Sequence, residues 1–95
     1  MIRLIDITQD DIKNGITNCH KCAIALALKR EYKTDDVKVY VDGGDPVLKV
    51  NKYDLSMNSF MESDVLDFIF NFDNQDDIDY PSPKPFTLKV NEQIK

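Results

Sequence analysis

The chain has 95 residues, of which 42 % are hydrophobic and 31 % are charged, which is typical of one small globular domain with a modest core. Its net charge of −5 arises in residues 53–95, which carry −6, and an acidic balance argues against direct binding to nucleic acid because cations supply most of that affinity. No apolar run approaches the roughly 20 residues of a membrane helix, and Met1–Asp6 lacks the apolar stretch of a signal peptide, so we expect a cytoplasmic protein that does not contact a membrane.

The first third of the chain predicts a strand, a capped helical turn and a helix. Ile2–Asp6 is typical of a short strand. Thr8–Asp11 is a capping box, with a hydroxyl at the cap and an acid three residues later. The helical turn that it starts should end at Gly15 in the left-handed conformation. Cys22–Tyr32 alternates in a way that also suits a strand, but its Ala and Leu residues and its basic end favour a helix.

The middle of the chain predicts a β-hairpin. Val37–Val41 alternates with period two and is rich in β-branched residues, as strands are. Asp42–Asp45 contains two glycines that suit a tight turn, and Val47–Val50 then pairs back, with a continuation toward Leu55. Pro46 indicates an edge position or the start of a strand, because proline has no N–H to donate to a neighbouring strand.

The last part of the chain predicts a second helix and a final strand. Ser59–Glu62 is another capping box, and its helix should run to about Phe72 with one apolar stripe toward the core. The stripe consists of Met61, Val65, Phe68 and Phe72. The chain from Asp73 to Pro85 predicts a polar loop, Phe86–Val90 a strand, and the residues from Asn91 a loosely ordered tail.

The order of these elements predicts the fold. Apart from the short helical turn after Thr8, it reads β, α, β, β, α, β, which is the order of a ferredoxin-like βαββαβ arrangement. We therefore predict a single α+β domain over residues 1–95, with a four-stranded antiparallel sheet and two helices on one face. Because this arrangement carries many unrelated functions, it predicts none by itself.

The segment from Asp54 to Pro83 holds eight acidic residues and no lysine or arginine. Because a surface of this sign attracts a basic protein, we predict that aspartates of the second helix and the loop after it bind one. These candidates are Asp64, Asp67, Asp73, Asp76, Asp77 and Asp79. The alternative is that the charge only keeps the protein soluble. An EF-hand calcium loop is not predicted, since the positions of its glycine and its final acid hold Ile78 and Lys84.

Leu66 and Phe70 widen the apolar arc of the second helix beyond its stripe. They lie four residues apart on one flank, where they would form an interface with a partner or with a second copy in a homodimer. Full burial in the core is the alternative.

Cys19-His20-Lys21-Cys22 is the only part of the sequence that looks like a chemical motif. A C-x-x-C at a helix N-terminus lowers the pKa of its thiols, which supports a redox alternative. Cys19, His20 and Cys22 are also candidate metal ligands, although the chain has no other cysteine or histidine to complete a zinc site. The competing interpretation is that both thiols are reduced and that Cys22 packs as a small apolar residue. No catalytic residue and no cofactor are predicted.

Two stretches of the chain together resemble a known group of proteins. The first runs from Ile7-Thr8 through Asp11-Ile12 and Gly15 to Cys19-x-x-Cys22-Ala-Ile-Ala-Leu-Ala-Leu-Lys-Arg, and the second comprises Phe68-x-x-x-Phe72-Asp73 and Pro85-Phe86-Thr87-Leu88. They resemble small proteins encoded by bacteriophages and prophages, which have no assigned activity. In that group a proline often follows the second cysteine, where this chain has Ala23.

The resemblance implies a phage origin and carries over no catalytic residue. Small phage accessory proteins often bind host factors, including components of antiviral defence, and some acidic ones mimic DNA. The function implied here is non-enzymatic binding of a host protein through the acidic residues. Other phage proteins sequester nucleotide signals, and for that alternative the cations that would meet phosphates are Arg3, Lys29, Arg30 and Lys33.

Overall fold

The computed structural model describes residues 2–79 and 81–91. These residues form five strands and three helices, which confirms the predicted α+β class. In chain order the elements are β1 (Ile2–Ile7), α1 (Gln9–Asn14), α2 (Ala23–Tyr32), β2 (Val37–Asp42), β3 (Asp45–Val50), β4 (Tyr53–Asp54), α3 (Ser59–Asp73) and β5 (Phe86–Asn91). The tail predicted after β5 falls on residues 92–95, which lie outside the described residues, and Asn91 belongs to the strand.

The described strands form two antiparallel sheets instead of the predicted single sheet of four. One contains β1 and β5, and the other has the order β2-β3-β4, with an isolated bridge from Ser56 to Asn91 between them. In a ferredoxin-like sheet the third strand lies beside the first. Here that edge of β3 is occupied by β4, because Asn51 and Lys52 both take positive φ and turn the chain straight back. This turn contains no glycine, so no local sequence pattern predicts it.

The predicted β2–β3 hairpin is confirmed. Asp42 pairs with Asp45 across Gly43 and Gly44, whose φ values are +60° and +86°. Such a turn matches the twist of the paired strands and needs residues that tolerate positive φ. Pro46 follows the turn. It lies on the part of the outer edge of β3 that extends beyond β4, as expected for a residue without an N–H.

Both long helices pack into one core with the buried faces of the strands. Five residues of α2 have no exposed surface, and the stripe predicted on α3 is buried as expected. The buried residues of α2 are Ala23, Ile24, Ala25, Ala27 and Leu28. Since alanine is small, α2 approaches its neighbours closely and contacts β1, β2 and α1.

Gly15 ends α1, as predicted, but not in the left-handed conformation. The Thr8 capping box is present, with Asp11 N–H donating to Thr8 Oγ1 over 3.2 Å and Thr8 N–H donating to Asp11 Oδ2 over 2.9 Å. Gly15 has φ −74° and ψ 154°, which any residue adopts. A Cβ there would lie 2.6 Å from the backbone nitrogen of Ala23. Glycine is therefore required by the close approach of α1 to α2.

A buried carboxylate joins α1 to α2. Asp11 is 5 % exposed, and Arg30 Nη1 and Nη2 donate to its two oxygens over 2.7 and 3.1 Å. Arg30 Nη2 also donates to the carbonyl oxygen of Asp6, over 2.9 Å. Burial alone would raise the pKa of Asp11, but the Arg30 guanidinium and the Thr8 donors outweigh it, so this pKa lies below its ordinary value.

α3 begins one residue earlier than predicted. Its cap is Asn58, whose Oδ1 accepts from the N–H of Met61 over 2.8 Å, so Ser59 is the first helical residue and no Ser59 capping box forms. At the other end, the N–H and the side-chain amide of Asn74 both donate to the carbonyl oxygen of Phe70. Asn58 is as good a cap as serine, so local preference does not distinguish the two positions.

We expect Gly15→Ala to lower the free energy of unfolding by about 1–3 kcal/mol, because an added methyl would be forced against backbone. Urea titration followed by circular dichroism measures the change. Gly43→Asn is the matched control, since an added Cβ there meets nothing within 4 Å and Asn tolerates positive φ. A Gly15→Ala variant as stable as this control would contradict the close contact.

We expect Arg30→Gln to lower the free energy of unfolding at neutral pH by about 1–3 kcal/mol, because it leaves the buried Asp11 carboxylate without its cation. A carboxyl with a lowered pKa stabilises the fold above its unfolded value of about 3.9 and loses that effect as the pH falls through its folded value. The deficit of the variant should therefore shrink below about pH 4 in urea titrations.

Lys49→Gln is the control for Arg30→Gln. Lys49 lies 3.1 Å from Asp54 on the surface, where an ion pair contributes little. Equal losses in the two variants, or a deficit of Arg30→Gln that does not change with pH, would contradict the role of the buried pair.

Candidate binding site

A cavity of about 350 Å³ lies where the N-terminus of α2, the strand β2 and the C-terminal half of α3 meet. Its lining includes the buried side chains of Ile24, Val39 and Phe72. Two exposed apolar residues also line it, Val41 at 38 % and Phe70 at 51 % exposure. An apolar cavity with apolar residues exposed beside it is typical of a binding site.

Cys19 and Cys22 both line this cavity, and each is free and half-buried. Cys22 is the N-cap of α2. Burial raises the pKa of Cys22 above its ordinary value, although the N–H groups of Ala25 and Ile24 act in the opposite sense, and the charge of Asp73 raises it further. The helix N-terminus is therefore outweighed by desolvation, and the shift is opposite to the one that the redox alternative requires.

His20 contacts the backbone of β2. Its Nδ1 lies 3.0 Å from the carbonyl oxygen of Val37, and because a carbonyl only accepts, Nδ1 carries the proton. The carbonyl of Cys19 accepts from the N–H of Val39 over 2.7 Å. Cys19 and His20 thus cover part of the free edge of β2. Within the described residues, no group of three or more Cys, His, Asp or Glu side chains is placed to hold a metal ion.

Asp73, the last residue of α3, lines the cavity beside the thiols. Loss of hydration raises the pKa of its carboxyl. The described residues that line it include no lysine, arginine or histidine. The site thus combines apolar walls with one carboxyl, a chemistry that suits an apolar group bearing a positive charge and disfavours phosphates.

The six predicted aspartates do not form one patch. Asp64 and Asp67 line a second groove, of about 390 Å³, whose other wall is the chain from Pro81 to Thr87. Asp73 lies nine residues after Asp64, so 100° per residue places it on the opposite side of the helix, at the cavity. The remaining three, Asp76, Asp77 and Asp79, are exposed in the segment after α3. Across residues 2–79 and 81–91, none of the six forms an ion pair with lysine or arginine.

Phe70 and Leu66 differ in their surroundings. Phe70 is exposed beside the cavity, whereas Leu66 is half-buried and does not line it. Sequence reasoning did not identify the other cavity residues, among them Thr17, Asn18 and Val41. No local pattern marks them, since they come from a loop and a strand that only tertiary packing brings to α3.

Two of the four cations proposed to meet nucleotide phosphates already have acidic partners. Arg3 lies 3.1 Å from Glu31 and stacks over the ring of Tyr32, and Arg30 binds Asp11. The second groove contains one lysine, Lys84, together with two aspartates. Neither concave site therefore favours a phosphate.

Comparison with known proteins gives no match, whether to a family model, to a curated protein or to a solved structure. None of the helices in the described part of the chain has the length and apolar character needed to cross a membrane.

We expect the thiol of Cys22, studied in a Cys19→Ser background, to titrate above the ordinary cysteine value of about 8.5, because it is desolvated. The rate of iodoacetamide alkylation against pH measures this. Adding Asp73→Asn should lower the pKa of Cys22, since a negative charge that opposes the thiolate is removed. Asp67→Asn is the control, because Asp67 lines the other groove. A titration below the ordinary value would instead favour the redox alternative.

Proposed function

We propose that the protein is a non-enzymatic accessory protein of bacteriophage type that binds a host protein with a basic surface, in the host cytoplasm. The observation that carries this proposal is the set of carboxylates on α3 and the segment after it, none of which has a cationic partner in the described residues. Binding neither a nucleic acid nor a membrane, the protein would use this surface to block a host factor, such as a component of antiviral defence.

The position of these carboxylates at the end of α3 supports the proposal. A helix C-terminus carries a partial negative charge, which normally attracts basic residues. The last turn of α3 contains none, and it ends in Asp73, with Asp76, Asp77 and Asp79 close behind. Like charges gathered at a negative pole reduce stability. A basic partner would relieve this repulsion, whereas solubility alone does not require charges at this place.

Three acids of the described residues have a cationic partner inside the molecule, and the contrast with them gives further support. Asp11, Glu31 and Asp54 each lie within an ion pair inside the molecule. Acids with internal partners are neutralised by the fold, while those of the α3 region leave their charge for a second molecule. The phage origin and the host partner rest on the resemblance of the sequence alone.

We expect Asp76→Asn/Asp77→Asn to weaken binding to the partner by up to about 30-fold at low salt, as each exposed ion pair contributes up to roughly 1 kcal/mol. The partner is first captured from a bacterial lysate at low salt and identified. Its affinity is then measured by calorimetry at several salt concentrations, and binding by the native protein should weaken with salt.

Asp35→Asn/Asp36→Asn is the matched control, because it neutralises two adjacent exposed aspartates away from α3. It should leave the affinity almost unchanged. Equal effects of the two double substitutions would indicate a response to net charge only, and an affinity independent of salt and of Asp76 and Asp77 would refute the proposal.

A further inference from the structure

Part of the outer edge of β2 is open beside the cavity. The N–H of Val39 donates to Cys19 and the carbonyl of Val37 faces His20, so odd-numbered residues of β2 direct their backbone groups away from β3. The next residue of this set is Val41, and its N–H and carbonyl have no partner among the described residues. Open strand edges pair readily with extended chains.

We propose that an extended segment of the basic partner adds to this edge at Val41 and inserts an apolar side chain into the cavity. This inference rests on the proposed function, which supplies the positive charge of the partner. Main-chain hydrogen bonds would hold such a segment. The cavity would determine which apolar residue is inserted, and this residue is called the anchor. The volume of about 350 Å³ lies within the range of ligand sites and suits an aliphatic or aromatic side chain.

The charge of the site indicates which residues of the partner segment should flank the anchor. Among the described residues, the only charged one that lines the cavity is Asp73. A lysine or arginine beside the anchor would pair with it and with the carboxylates that follow α3. An acidic segment would face uncompensated repulsion, so the site fits a segment in which apolar and basic residues alternate.

The open edge of β1 lacks these features. The N–H groups of Lys89 and Asn91 in β5 donate to Met61 and Ser56, away from β1. Leu4 pairs with Lys89, so the N–H of Leu4 likewise points away from β5. This second edge is therefore also unpaired at Leu4, but neither concave site borders it. The cavity distinguishes β2 as the docking edge, and β1 supplies a matched control.

The test uses the full chain labelled with ¹⁵N and a synthetic capped peptide, Lys-Val-Phe-Val-Lys. We expect the largest chemical-shift changes at Val41 and at cavity residues such as Cys22 and Phe70. The peptides Glu-Val-Phe-Val-Glu and Lys-Ser-Ser-Ser-Lys, which lack the positive charge and the apolar anchor respectively, should bind much more weakly. Shifts centred on Leu4, or equal binding of all three peptides, would overturn the proposal.

Val41→Pro removes the outward N–H of β2 and replaces one apolar side chain of the cavity lining by another, and proline is tolerated at such edge positions. We expect it to weaken peptide binding about tenfold, as loss of a hydrogen bond does. Leu4→Pro makes the same change on β1 and should leave binding unchanged. Thr17→Trp, which covers the cavity from an exposed loop position, should also abolish binding and decides the question if Val41→Pro does not fold.

These outcomes separate the two proposals. If Val41→Pro and Thr17→Trp bind the captured partner as the native protein does, while Asp76→Asn/Asp77→Asn does not, the docking edge is refuted and the acidic surface stands. If the peptide binds at the β2 edge but the affinity of the captured partner depends neither on salt nor on Asp76 and Asp77, the proposed function fails and the docking site remains.

Discussion

The burial of α2 is the constraint on which the rest of the structure depends. Its alanines let it contact β1, β2 and α1 at once, so that strands of both sheets and all three helices share one core. A close helix contact of this kind leaves no room for a side chain at Gly15, and it brings Arg30 to the buried Asp11. In a domain this small, where a few kilocalories separate folded from unfolded chains, one well-packed helix determines the arrangement of its neighbours.

The candidate site follows from the same packing. Because the first turn of α2 is buried, its first residue Ala23 lies in the interior and the Cys22 thiol before it is half-buried, and the space left between the N-terminus of α2, β2 and α3 becomes the cavity. Burial then opposes the effect of the helix N-terminus on the pKa of Cys22. The same C-x-x-C segment contributes backbone and imidazole contacts that cover β2. A motif that looks chemical is thereby given a structural role, while the cavity beside it has the features of a binding site.

The acidic residues differ in whether the fold supplies them with a cationic partner. Asp11 and Asp54 have cationic partners within the fold, whereas the acids at the end of α3 gather at the negative pole of the helix without a lysine or arginine partner among the described residues. Such an arrangement lowers the stability of the free protein and strengthens its attraction for a cation. The cavity and the unpaired acids meet at Asp73, so apolar and electrostatic recognition adjoin at one end of α3.

Local sequence determined the elements whose stability is local: the Thr8 capping box, the glycine turn after β2, the Ala- and Leu-rich α2 and the apolar stripe of α3. Each depends on hydrogen bonds or periodicity within a few residues. Only the tertiary structure decided the features that depend on distant segments. These are the division of the strands into two sheets by β4, the reason for a glycine at position 15, the raised pKa of Cys22 and the separation of Asp64 from Asp73. Neighbouring residues do not encode desolvation or close approach, because both arise only when α2, β2 and α3 pack together.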